Sequence, residues 1–347
     1  MAREFTGKER IEAIFQREKA DRIPVILGLT VHLASLAGYN FNEARLEPEK
    51  AWQTFLRTEE LIPTDMPRVP GSPYLPDVIQ ARQEGTIAPE GGRQYRFADK
   101  SAVDTFTYRP PKENRAYATF LDMARRAIAT LPDRAIFGDL GGPWSIAAEL
   151  RGVEPIIFDT VDDPEFVHKA MKVCTQLALD RALAMAETGV NVRIGDPSAG
   201  CSLISPKIYR EFVKPYHEQL FNHLRQATSV RLGLHMCGYV DPIIEDLISL
   251  PIDWFELDAP SSLERMASLS QGKIVIRGQI PPEIFTEGTR ETIDKEVKRC
   301  VDTAARRNPF MLAPGCAVPY NAPLENIKSF LEAAHKYGSY DYIDGGG

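Results

Sequence analysis

The chain is poor in cysteine, with five in 347 residues, too few for a disulfide scaffold and odd in number, so at least one thiol stays unpaired. It has no run of 18 apolar residues and therefore no candidate membrane span. A basic excess is also missing: 41 Lys and Arg against 48 Asp and Glu leave a net charge of −7. Phosphate neutralisation needs a basic face, so nucleic-acid binding is not the expected task. The first ten residues contain acids and no apolar stretch of the kind that leads a chain to export, and the expected location is the cytoplasm. No fixed-period repeat or low-complexity run occurs apart from the short Gly345-Gly346-Gly347 tail. What is present is the composition of an ordinary globular protein, 44% apolar and 26% charged, with material for a large core.

Short apolar runs alternate with segments of helical periodicity. The runs are Ile23–Gly28, Thr64–Val69, Ala135–Gly138, Asn191–Ile194, Val230–His235, Trp254–Leu257, Ile274–Gly278 and Phe310–Ala313. The predicted helices span Lys8–Gln16, Glu47–Leu61, Tyr117–Thr130, Pro164–Thr188, Pro206–Ala227, Val240–Leu250, Thr289–Arg307 and Pro323–Lys336. Proline at the first turn of several of them, as in Asp163-Pro164 and Ser205-Pro206, marks their starts. Alternating strands and helices imply a parallel sheet, and eight repeats over this length favour a closed (β/α)8 TIM barrel with an N-terminal helical extension. No Gly-x-Gly-x-x-Gly opens a helix, which weakens a dinucleotide-binding alternative. Residues 70–113, rich in Pro, Gly and charge, break the rhythm. They are read as an insertion over the barrel mouth, with a possible hairpin at Gln94–Asp99 and Val103–Thr107, inside a single domain.

Barrel chemistry sits where the strands end. Asp139, Asp196, His235, Cys237, Glu256, Asp258, Gln279 and Cys316 stand at or just beyond the C-terminal ends of six successive runs. The opposite ends are polar too but hold no Cys and no His. Cys237 and Cys316 lie 79 positions apart, two βα units and a strand, so His235, Cys237 and Cys316 can all face the mouth. One imidazole and two thiolates make a three-ligand Zn2+ site with one exchangeable position. Asp258, or less readily Glu256, can fill that position at rest. A cysteine at a strand end is more often simple packing. Against that stand the His-x-Cys spacing, the third ligand at another strand end, and the glycines beside each cysteine, Gly238 and Gly315, where the backbone can turn closely. Asp196 and Asp139 are candidate catalytic groups that bind a substrate ring or manage a proton, and each is equally well read as a cap for the following helix. His32 and Gln279, with Asp196, are candidate substrate contacts. Cys174 and Cys300 are read as fillers in helices and Cys201 as a loop thiol. His168, His217, His223 and His335 are given no role.

These residues carry a resemblance. The sequence resembles the uroporphyrinogen decarboxylase superfamily and, within it, the cobalamin-dependent methyltransferase branch. The similarity runs through Lys8-Glu9-Arg10-Ile11 and Asp21-Arg22-Ile23-Pro24-Val25, Gly141-Gly142-Pro143-Trp144-Ser145, Asp196-Pro197 with Ile204-Ser205-Pro206, and Pro215-Tyr216. It is most specific at His235-Met236-Cys237-Gly238 and Ala313-Pro314-Gly315-Cys316. The resemblance implies a (β/α)8 barrel, a catalytic zinc at the His-x-Cys…Cys positions, and methyl transfer between a small substrate and a corrinoid held by a partner protein. The substrate it leaves open: a thiol, tetrahydrofolate, or a methoxy or methylamine compound. The decarboxylase itself fits less well, because Val25 to Ala44 contains no Arg or Lys to meet a many-carboxylate substrate. Relatives usually carry Gly-Asn where this chain has Gly278-Gln279. The rival expectations are metal-free decarboxylation of an acidic tetrapyrrole, and a metal- or corrinoid-binding accessory protein without catalysis.

Overall fold

A computed structural model describes residues 4–29, 33–71 and 95–345. Its centre is a six-stranded parallel sheet in sequence order: β1 (Phe137–Gly141), β2 (Asn191–Gly195), β3 (Leu232–Met236), β4 (Trp254–Leu257), β5 (Val275–Ile280) and β6 (Phe310–Pro314). Six of the eight predicted runs are therefore regular strands. The other two are extended segments that close the ring. Ile26 donates to Leu312 of β6 and Val69 to Phe137 of β1, while Asp65 N–H donates to the Val25 carbonyl across the seam. These segments do not form full ladders because Pro24 and Pro67 have no N–H to give. The result is a TIM-barrel-like α/β fold.

Side chains alternate between two layers. Outward residues such as Leu140, Ile194, Leu234, Phe255, Ile276 and Leu312 pack under the helices in the main core. Inward residues form a separate cluster of Ile26, Met66, Phe137, Trp254, Val275 and Met311. The helix Gly7–Gln16 plugs the N-terminal end of this cluster with Ile11 and Ile14. Its start is set by a capping box, in which Glu9 N–H donates to Thr6 and Thr6 N–H donates to the Glu9 carboxylate. Gly233 is required in the interior, since a Cβ there would lie 1.9 Å from the buried Trp254 ring.

The long helix Pro164–Ala186 matches its expectation. Pro206–Ala227 is helical throughout but opens into a wider turn at Tyr209–Val213. The short helices Phe41–Leu46, Pro143–Arg151, Val153–Asp162 and Leu263–Ser270 escaped the periodicity reading. At six to ten residues each, they span fewer than three turns of pattern. The expected hairpin is corrected: Lys100–Thr105 is a 3-10 turn capped by Asp99, and Phe97 is buried against Phe106 and Phe166. An aromatic cluster over neighbouring helices gains more burial there than a two-stranded ribbon would. Gln94, the central part of the 70–113 insertion, and His32 lie outside the described residues. Among the described residues no helix is long and apolar enough to cross a membrane.

Candidate metal centre

His235, one residue before the end of β3, faces the barrel axis, and the next inward position, Cys237, follows in the loop. β6 ends two residues before Cys316. The three side chains meet at the mouth, and among the described residues they are the one His/Cys/Asp/Glu group whose ligand atoms converge within 4.8 Å. His235 Nε2 lies 3.3 Å from Cys237 Sγ and 3.9 Å from Cys316 Sγ, and the two sulfurs are 3.7 Å apart. A tetrahedral zinc with bonds of about 2.0–2.1 Å to nitrogen and 2.3 Å to sulfur separates its ligands by about 3.6 Å (N to S) and 3.8 Å (S to S). The observed spacings fit that geometry.

The imidazole is oriented from behind. Its Nδ1 faces the Glu256 carbonyl at 3.2 Å and the Glu256 carboxylate at 3.4 Å, which keeps the proton on Nδ1 and turns the Nε2 lone pair toward the sulfurs. Burial alone would lower the His235 pKa, but Glu256 and Cys316 outweigh it and raise it. Cys316 accepts from Cys237, and against burial that bond, together with His235, brings its thiol down to about 4. Cys237 moves the other way through the same contact and through burial. The sulfur–sulfur contact thus favours the charged form of Cys316 over that of Cys237.

Beneath the ligands lies a buried layer of charge. Arg193 donates two hydrogen bonds to Asp139, at 2.9 and 2.8 Å, and a third to Glu256. Arg68 reaches Asp139 at 3.2 Å, and Arg277 faces Glu256 at 3.0 Å while lying over the Phe137 ring at 4.7 Å. Burial would raise both carboxylates, yet the arginines win and hold each at about 2. The arginines of this layer were missed by the sequence reading. Their signal was visible, because a charge at the centre of an apolar strand run, as in Asn191-Val192-Arg193-Ile194 or Val275-Ile276-Arg277, must find a buried partner.

None of the remaining expected residues joins the converging trio, and Asp258 stands at its edge. Asp258 lies beside Gly315, with its oxygens accepting from the amides of Gly238 (2.6 Å) and Ala259 (2.8 Å). Burial raises its pKa. Asp139 is locked in the charge layer. Asp196 is fully buried: it accepts from the Trp144 and Ser145 amides at the start of the helix Pro143–Arg151 and faces His217 Nε2 at 2.9 Å. Every oxygen of these two aspartates that was expected to meet substrate is engaged within the protein. His217, given no role from sequence, is the buried partner that holds Asp196. Gln279 donates to the carbonyls of Asp258 and Ser261 and accepts from Arg299, so it braces the β4 loop. Cys174 and Cys300 are buried, as fillers should be.

Residues 6–337 match the family described as Uroporphyrinogen decarboxylase (URO-D). The methylcobamide:CoM methyltransferase MtaA of Methanosarcina barkeri is 27% identical over 357 residues, covering 96% of this chain and 99% of that protein. A uroporphyrinogen decarboxylase of Xylella fastidiosa is 24% identical over 185 residues, covering 50% of this chain and 51% of that protein. In three dimensions, a methyltransferase from Methanosarcina mazei superposes with a TM-score of 0.79 at 21% identity, covering 96% of this chain and 99% of that one.

Proposed function

This chain belongs to the uroporphyrinogen decarboxylase family, and from that premise we propose that it is a zinc-dependent methyltransferase moving a methyl group between a corrinoid on a partner protein and a small substrate, with a thiol as the favoured acceptor. The observation that carries the reading is the His235, Cys237 and Cys316 trio, spaced as a tetrahedral zinc requires. The relatives that align over nearly the whole chain are named as methylcobamide methyltransferases, which supports the same reading.

His235 Nε2 and the two sulfurs would hold the ion and leave its fourth position open. A zinc ion with two thiolate ligands supplies Lewis acidity, holding an acceptor thiol as its thiolate at neutral pH. The chain's own residues prepare that position. Glu256 fixes the His235 tautomer, Arg193 and Arg277 fix Glu256, and the Gly238 amide holds Asp258 at the edge of the trio. The acceptor sulfur then forms its bond to the methyl carbon as the carbon–cobalt bond breaks, with the electron pair left on cobalt. On this reading the enzyme works in the cytoplasm.

The test is an assay of free methylcobalamin with a thiol, tetrahydrofolate or an aryl methyl ether, followed by corrinoid absorbance. Thiol-dependent demethylation that stops with a zinc chelator is expected. Turnover of an acidic tetrapyrrole in the presence of chelator would instead establish the decarboxylase reading.

A further inference from the structure

Seven large apolar side chains are exposed among the described residues. Val153, Phe158 and Val161 share one peripheral helix, Val153–Asp162. The other four, Phe41, Leu203, Tyr239 and Tyr320, stand on segments that follow C-terminal ends of the barrel elements. Tyr239 comes two residues after Cys237 and Tyr320 four after Cys316. Among the described residues these four thus stand on segments at the end of the barrel that carries the metal centre, and an exposed apolar patch marks a contact surface.

The Phe41 and Tyr320 rings lie 5.8 Å apart at 43°, and Tyr320 is 67% exposed. With Asn40, Asn42 and Leu46 they line a groove of about 670 Å³. Two carboxylates, Glu43 and Glu47, also border it and share a single cation, Lys50, so the lining carries an excess of negative charge. That disfavours a phosphate or an acidic peptide. It suits a flat, largely apolar ring system with a cationic centre and amide groups at its edge. The cobalt(III)–methyl corrin core has those properties: its net charge is positive, its faces are apolar, and its periphery bears carboxamides that can meet the two asparagines.

Building on the methyltransferase reading, we propose that Phe41 and Tyr320 form the platform on which the corrin ring of the donor rests at the barrel mouth, beside the loop that carries Cys316. The ring reaches the platform on its carrier protein, and the platform sets its approach to the metal centre. The probe is methylcobalamin itself. Equilibrium dialysis of the zinc-loaded protein, and KM for methylcobalamin at fixed thiol, are compared for the wild type, Phe41→Ala with Tyr320→Ala, and Phe158→Ala with Val161→Ala on the peripheral helix. Loss of the aromatic platform should weaken methylcobalamin binding and raise its KM by roughly fivefold or more, with zinc content and the KM for thiol unchanged. The peripheral variant should match the wild type. Unchanged methylcobalamin binding in the platform variant overturns the proposal, as does conversion of a dimeric wild type to monomer by the same changes, which would give the groove to a second copy. A wild type that binds zinc but neither binds nor demethylates methylcobalamin defeats the methyltransferase reading itself, an outcome distinct from a platform variant that behaves like an active wild type.

Discussion

His235 sits between a carboxylate and two sulfurs, and its orientation is decided by the side that is already fixed. Glu256 can hold the imidazole because Arg193 and Arg277 hold Glu256. Removing Cys316 takes one of three ligands, so Cys316→Ala should lose zinc and lower methyl transfer by roughly a hundredfold or more, read by elemental analysis alongside the rate. Asp139 tests the layer below. Its folded pKa, about 2, lies below the ordinary carboxylate value near 4, so its contribution to stability is full above that ordinary value and is lost as pH falls through the folded one. Denaturation midpoints of the wild type should therefore fall between about pH 4 and pH 2, and Asp139→Asn, less stable at pH 7, should show a flatter acid slope. At this scale the sequence made the ligand trio legible because His, Cys and spacing are local facts. It did not reveal that Asp139 and Asp196 face inward partners. Arg193 and His217 are distant in the chain, and it is the pairing of β2 with β1 and the packing of the helix after β2 that bring them to those oxygens.

Two of the three ligands, Cys237 and Cys316, stand on loops, and the loop after β2 grips the one after β3. Cys201 N–H donates to the Tyr239 carbonyl at 2.7 Å, and Tyr239 N–H donates to Ser202 Oγ at 2.9 Å. Gly200 is pressed onto the ligand loop so closely that a Cβ would lie 2.3 Å from the Cys237 carbonyl oxygen. Asp196 anchors the start of this clamp through the Ser145 amide and His217. Gly200→Ala should therefore shift Cys237 without removing a ligand. We expect a fall in zinc affinity of roughly tenfold to a hundredfold, measured by chelator competition, with the circular dichroism of the barrel preserved. Unaltered affinity would show that the clamp does not position the ligand. The long helices were legible because three or more turns of apolar period leave a clear trace. The short helices at the mouth, such as Phe41–Leu46, carry too few residues for that trace, although Asn40 and Glu43 form a capping box that could have announced it.

For the molecule as a whole, ring closure depends on Asp65. Its carboxylate accepts from Val25 N–H at 2.8 Å and pairs with Arg22 and Arg10 at the seam between the first two extended segments. Asp65→Ala would leave Arg22 without its carboxylate and Arg10 with Asp21 alone, and would open that seam. A loss of about 3–5 kcal/mol is expected, seen as a lower urea midpoint, while Asp65→Asn, which still accepts from Val25, should lose less. Eightfold alternation was legible from strand and helix periods, and so was the closed barrel. The weakness of two of the eight strands was written in Pro24 and Pro67, whose effect depends on which neighbours need their missing donors. The most direct measurement of the central claim is cobalt substitution of the purified protein with absorption spectroscopy. One Co2+ per chain in a tetrahedral site, with a thiolate charge-transfer band that weakens in Cys237→Ser and in Cys316→Ser and shifts when a thiol is added, is the predicted result. A protein that takes up no metal, or whose metal spectrum is the same in both variants, would contradict the account.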